Sequence, residues 1–316
     1  MILKRAPGHR IGTVRIVITG GTGFLGRPLA AELAREGHDV VVLTRTAAAA
    51  GPPSGWRTVE WQPDGHAGQW RSEVDGAGAV VNLAGESIAG RRWTPRQKQR
   101  ILDSRLLATR SVVAAINAAG TRPPVLVSGS AVGFYGPLGD ELVTEEHPPG
   151  VDFLAGVCRQ WEDAAADARR PGTRVVWIRT GLVLEHGGGA LPKMLPPFWF
   201  GVGGPLGSGR QYWPWIHRRD WVDLVSWAIR TQAVEGPLNA TAPHPITNSA
   251  FARALGRALR RPAFMPAPAF ALRIALGEMA DALLLSGQRA IPAKAARLGF
   301  PFTFTEAEQA LRSIFS

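Results

Sequence analysis

The sequence predicts an α/β protein with a doubly wound parallel sheet, followed by a small, mostly helical C-terminal region on the substrate side. Three observations carry this expectation. A β-branched run, Val14–Thr19, leads directly into a glycine-rich turn and a helix-spaced stretch, Phe24–Arg35. A second apolar run, Asp39–Leu43, follows, and the β–α–β order requires a parallel pair joined by a right-handed crossover. Strands and helices then keep alternating up to Gly181.

Each further element has its own signal. Val80–Leu83, Val125–Ser128 and Val175–Ile178 are short apolar runs that suit strands buried on both faces. Thr94-Pro95 opens a long helix in cap and first-turn positions, and Gly120 closes it. A helix is expected over about 157–168. After Gly181 the glycines at 187–189 and 201–209 mark long loops around a short helix near 191–198, the kind of loop that covers a ligand. Helices are expected at 220–232, 247–261 and 305–315. No repeat or coiled coil is present.

Composition narrows the function. The chain has 316 residues, of which 45% are hydrophobic and 19% charged, as in an ordinary globular protein. Its single cysteine, Cys158, excludes an intramolecular disulfide and a cysteine-cluster metal site. It also suits a reducing, cytoplasmic setting. No apolar run is long enough to span a membrane. The net charge is +11, but the arginines are scattered and form no nucleic-acid module, so anionic small molecules are the expected partners. Residues 1–13 are basic without a secretory core and are expected to be a disordered leader, or an over-long assigned start.

The chemistry starts at Thr19-Gly20-Gly21-Thr22-Gly23-Phe24-Leu25-Gly26. Gly20 permits a tight turn, Gly23 lets backbone amides approach a pyrophosphate, and Gly26 lets helix and strand pack closely. The helix N-terminus then faces the phosphates with partial positive charge. The second strand ends in Thr44-Arg45 rather than in the Asp or Glu that binds ribose hydroxyls in NAD readers. Arg45 can pair with a 2′-phosphate, so NADP(H) is expected over NAD(H). Leu83-Ala84-Gly85 offers small residues against which a cofactor can lie.

These motifs, with Ser128-Gly129-Ser130 and the Phe134-Tyr135-Gly136 element, resemble the extended short-chain dehydrogenase/reductase superfamily. The stretches Asn82–Thr94, Asp152–Glu162, Ile178–Leu184 and Trp215–Asp220 narrow the resemblance to its atypical "epimerase family protein" subfamily. Pro266 through Phe302 is similar to the C-terminal domain of unknown function in that group. The resemblance implies a Rossmann domain over 14–185, to which about 219–240 returns. Substrate-side loops and a helical domain then occupy 186–316. It also implies that Ser128 and Arg179 lie along the cofactor, that Ser130 binds a substrate carbonyl, and that Tyr135 borders the site as a candidate acid.

One part of the superfamily pattern is missing. Catalysis there uses Tyr-x-x-x-Lys on one helix, a spacing that puts both groups on one face. Here Tyr135 is followed four residues later by Gly139, and Tyr212 by Ile216. Leu154 and Cys158 take the two places, and Cys158 has the setting of an inert thiol. Glu145 and Glu146 are expected on a solvated loop. Lys193, Met194, Trp199, Trp213, Trp215 and His217 form either an aromatic, partly basic cleft or a tryptophan-rich core, and no metal site is expected. The expected function is an NADP(H)-dependent oxidoreductase or epimerase for an unknown carbonyl or hydroxyl compound. The alternative is a non-catalytic NADP(H)-binding regulator with a protein partner, with cell division as one setting. Oligomeric state is left open.

Overall fold

The computed structural model describes residues 12–46 and 55–316. The expected leader lies outside the described residues except for its last two. The first half of the fold contains β1 (Arg15–Thr19), α1 (Gly26–Arg35), β2 (Asp39–Thr44), β3 (Trp56–Glu60), β4 (Ala79–Asn82), α2 (Pro95–Ala118), β5 (Val125–Ala131), β6 (Leu142–Val143) and α3 (Phe153–Ala166). Next come β7 (Arg174–Thr180), β8 (Leu182–Leu184), α4 (Leu191–Trp199), β9 (Tyr212–Trp213), β10 (Trp215–His217), α5 (Arg218–Arg230) and β11 (Gly236–Ala240). The chain finishes with β12 (Ile246–Thr247), α6 (Asn248–Leu259), α7 (Ala269–Leu276), α8 (Glu278–Ala280), β13 (Arg289–Ala290), α9 (Ala293–Arg297) and α10 (Ala307–Phe315).

Seven strands form one sheet in the order β11-β7-β5-β4-β1-β2-β3, with every neighbouring pair parallel. Alternation divides each strand between two cores. Ile16, Ile18, Val40 and Val42 face α1 and α5, while Val17, Val41 and Leu43 face the other side, where α2 and α3 pack. Burial on both faces explains why the strands read as continuous apolar runs.

Two strands of this sheet escape the sequence signals. β3 is short and half polar at the sheet edge. β11 reads Gly-Pro-Leu-Asn-Ala, a composition that suggests a loop. It is tolerated because β11 is the other edge, where Pro237 need not donate to a neighbour. The core beside β11 includes Trp221, Leu224, Val225 and Ala228 of α5. β5 runs three residues past its expected end and pairs Gly129, Ser130 and Ala131 with Ile178, Arg179 and Thr180. That extension carries Ser130 to the upper rim of the sheet.

A separate apolar cluster holds the remainder together. Leu191, Leu195 and Phe198 of α4 meet Trp213, Trp215, Phe251 and Leu255, and Phe304, Ala310 and Leu311 close it. Trp213 and Trp215 therefore serve this core, and Trp199 stays exposed.

Candidate functional site

The turn from β1 into α1 has the shape its glycines require. Gly20 has φ +68°, a left-handed conformation, and a Cβ there would lie 2.8 Å from the Leu83 carbonyl. A Cβ on Gly26 would collide with the Gly20 carbonyl oxygen. The Gly23 amide closes the turn by donating to Gly20 O at 3.0 Å. Thr22 and Gly23 are exposed. Leu25 caps α1 without a side-chain hydrogen bond, and no acidic residue stands in the first turn. Arg27 N donates back to Gly23 O at 3.1 Å and Pro28 has no N–H, so Gly26 N is the first-turn amide of α1 left for an external acceptor, which fits a pyrophosphate. The Phe24 ring lies where Cβ atoms on Gly188 and Gly189 would be, and Leu25 packs on the core, so these two residues serve the loop through their backbone.

Neighbouring strand ends extend the site. The β1–β2 register pairs Thr19 with Leu43, which sets Thr44 and Arg45 beside the loop. Arg45 is exposed, and no described carboxylate pairs with it. On the other side, Thr19 Oγ1 donates to Asn82 Oδ1 at 2.7 Å, and Asn82 Nδ2 donates to Thr109 Oγ1 at 2.8 Å. Ala84 N donates to Thr19 Oγ1 at 3.3 Å. These bonds hold Leu83, Ala84 and Gly85 against Gly20. Arg45, the glycine loop, Leu83–Gly85 and Ser130 therefore lie on four adjacent strand ends, at the carboxyl edge where open α/β sheets take ligands. The residues present fit a dinucleotide laid across that edge.

Ser130 leads into a buried polar network. The residue is 5% exposed, and its hydroxyl donates to Glu162 Oε1 at 2.6 Å. Arg179 grips the same carboxylate through Nε at 2.9 Å and Nη2 at 2.8 Å. Its Nη1 donates to Tyr135 Oη at 3.0 Å and to Glu145 O at 3.2 Å. The guanidinium lies 3.5 Å from the centre of the Phe134 ring. Burial opposes its charge, but Glu162 and Tyr135 outweigh this and hold its pKa above the ordinary arginine value.

Three expectations change here. Arg179 was expected along the cofactor; all three of its guanidinium nitrogens are engaged inside the protein, because a buried cation needs a carboxylate partner. Tyr135 was expected as an acid at the rim. It is 1% exposed, its hydroxyl donates to Asn239 Oδ1 at 2.7 Å, and burial pushes it up to about 12, so this position supports a structural role. Glu145 is not on a solvated surface. It accepts from the amides of Asn239 at 3.1 Å and Lys294 at 3.2 Å, and burial raises its pKa; Glu146 alone is exposed. Ser128 is fully buried and its hydroxyl has no hydrogen-bond partner. Cys158 is buried and pushed up to about 11 by burial and by nearby Glu162, which keeps it a neutral thiol. His217 caps α5, with Nδ1 accepting from Arg219 N at 3.1 Å, and Lys193 Nζ donates to Ala89 O at 3.1 Å.

Comparison with known proteins identifies the family. Residues 16–156 match the model of the NAD dependent epimerase/dehydratase family, and residues 267–314 match a domain of unknown function, DUF1731. The epimerase family protein ML0860 of Mycobacterium leprae is 41% identical over 94% of each chain. The chain belongs to this epimerase protein family. A chloroplastic epimerase family protein of Arabidopsis thaliana is 42% identical over 95% of this chain and 86% of its own. A crystal structure of human epimerase family protein SDR39U1, containing NADPH, superposes with TM-score 0.85 at 37% identity, covering 95% of this chain and 98% of that one.

In this epimerase-family chain the two matched regions meet at the network. The Lys294 amide donates to Glu145 of the first region at 3.2 Å, and Asn239, which lies between the two, donates through Nδ2 to Ile291 O at 2.9 Å. Sequence reasoning missed the role of Glu162, although a signal existed. Glu162 lies on the buried stripe of α3 with Ala155, Cys158 and Ala165, and a charge on an apolar stripe implies a buried partner.

Proposed function

We propose that the chain binds NADP(H) and acts as an oxidoreductase or epimerase on a small carbonyl or hydroxyl compound at Ser130. The observation that carries the cofactor choice is Arg45, an unpaired cation beside the glycine loop where an NAD reader has a carboxylate. The crystal structure of the human relative with NADPH supports it. When bound, the nicotinamide supplies hydride transfer. The residues of the chain supply proton handling. Ser130 directs its own proton to Glu162, which leaves its oxygen lone pairs to accept from a substrate hydroxyl. A proton leaving that hydroxyl passes to Ser130 Oγ as the serine proton moves to Glu162. Arg179 fixes the Glu162 carboxylate for that exchange, and Tyr135 and Asn239 fix Arg179. This path replaces the absent Tyr-x-x-x-Lys pair.

The test is a binding titration of NADPH and NADH with the purified protein. NADPH binds more tightly, and Arg45→Ala removes about a factor of ten of that preference, as expected for a charge-assisted contact. An NADH preference that survives Arg45→Ala overturns the assignment. Oxidation of NADPH by a carbonyl panel, lost in Ser130→Ala, identifies the chemistry.

A second reading is a non-catalytic NADP(H)-binding protein that presents a surface to a protein partner. Helix α7 favours it: none of its residues is buried, and Phe270 and Ile274 are 66% and 72% exposed. A tightly held cofactor that no carbonyl oxidises, with a partner retained on α7, supports this reading. The single buried cysteine suits a cytoplasmic setting for either. Among the described residues no helix is long and apolar enough to cross a membrane.

A further inference from the structure

Arg105 interrupts the apolar stripe of α2. Ile101, Ala108, Thr109 and Val112 lie one and two turns away on the same buried face, where a charge needs a reason. The Arg105 side chain is half-buried. Its Nη1 donates to Ile101 O at 2.9 Å and to Glu86 O at 3.0 Å. No described carboxylate forms an ion pair with it, and its Nε and Nη2 have no hydrogen-bond partner among the described residues. Its Cζ lies 5.0 Å from the centre of the Trp161 ring. Gly85 makes room for it, since a Cβ there would lie 3.1–3.3 Å from Arg105 Cγ, Cζ and Nη1. On α3 the neighbouring Cys158 thiol brings no charge at neutral pH.

The order of the strand ends gives this cation an address. From β2 to β5 the edge presents Arg45, the glycine loop, Leu83–Gly85 and Ser130. A dinucleotide whose 2′-phosphate is at Arg45 and whose pyrophosphate is at the loop must pass Gly85 to bring its reactive ring to Ser130. Arg105 stands beside that last part of the path. Two free nitrogens in the rigid guanidinium fork match a pair of ribose oxygens. We propose that Arg105 binds the nicotinamide-side ribose of NADP(H), supplying from α2 the cationic contact that no lysine supplies from α3. The proposal rests on the NADP(H) reading above.

The test separates the two halves of the cofactor. NADPH and 2′,5′-ADP, which carries only the adenine half, are titrated into the wild-type chain, Arg105→Ala and Arg105→Met. The Met variant keeps the aliphatic packing on Trp161. Both variants are expected to weaken NADPH about tenfold and to leave 2′,5′-ADP unchanged. Arg45→Ala weakens both probes. NADPH affinity within twofold of wild type in Arg105→Met overturns the proposal. So does equal weakening of both probes, which marks Arg105 as a support for the 83–86 segment. A wild-type chain that binds neither probe defeats the NADP(H) reading itself, an outcome distinct from these.

Discussion

Burying an arginine is costly because its charge persists, and Arg179 offsets that cost with Glu162 on one side and the Phe134 ring on the other. Removing one member leaves the other charge stranded. Arg179→Met is expected to destabilise the fold by about 3–5 kcal/mol, measured by chemical denaturation, because it strands Glu162. The double variant Arg179→Met, Glu162→Gln recovers part of that loss, since no unpaired charge remains. The network also shows what a sequence conceals. The turn at Gly20–Gly26 was legible because its shape is set within a few residues, with the Gly26 Cα packed against Gly20 and Gly21. Tyr135 and Asn239 are 104 residues apart, and Glu145 and Lys294 are 149 apart, so nothing local distinguishes Glu145 from Glu146.

Among helices the main contrast is at the N-termini. Thr94, Asp152, His217 and Thr247 each cap a helix by accepting from one of its first amides, whereas Leu25 gives α1 no side-chain cap, as is also the case for α4, α7, α8, α9 and α10. Thr94-Pro95 and the glycine loop announced their helices in the sequence, but β3 and β11 did not, because edge strands need neither strong alternation nor a complete set of donors. The cap at His217 titrates. Its Nδ1 accepts only when the ring is neutral, and burial lowers its pKa from 6.5 to about 4. As pH falls, the unfolded chain takes up this proton before the folded one does. The stabilisation is therefore complete above about pH 6.5 and is lost as pH falls toward 4. His217→Asn keeps a capping acceptor that does not titrate. The drop in Tm between pH 7 and pH 4.5 should be smaller in that variant than in wild type; an equal drop removes His217 as a contributor.

Across the molecule, the region beyond Pro266 is built into both cores. Ala295 and Phe300 belong to the cluster under the sheet, while Phe304, Ala310 and Leu311 close the cluster around α4 and α6. Asp220 of α5 accepts from the amides of Thr303 at 3.1 Å and Phe304 at 2.8 Å. The whole chain is expected to unfold in one calorimetric transition, with calorimetric and van't Hoff enthalpies in agreement. Two separated transitions would contradict this integration.

The contacts of Ile291 and Lys294 with Asn239 and Glu145 have a consequence in time. During synthesis the sheet can assemble once β11 has left the ribosome, but the Glu145 carboxylate then lacks the Lys294 amide that comes to cover it. The polar centre behind Ser130 is completed only by a segment translated after the whole sheet. A released chain cut at residue 266 would be open to proteases and chaperones at this point, and the segment that carries Lys294 would end that exposure.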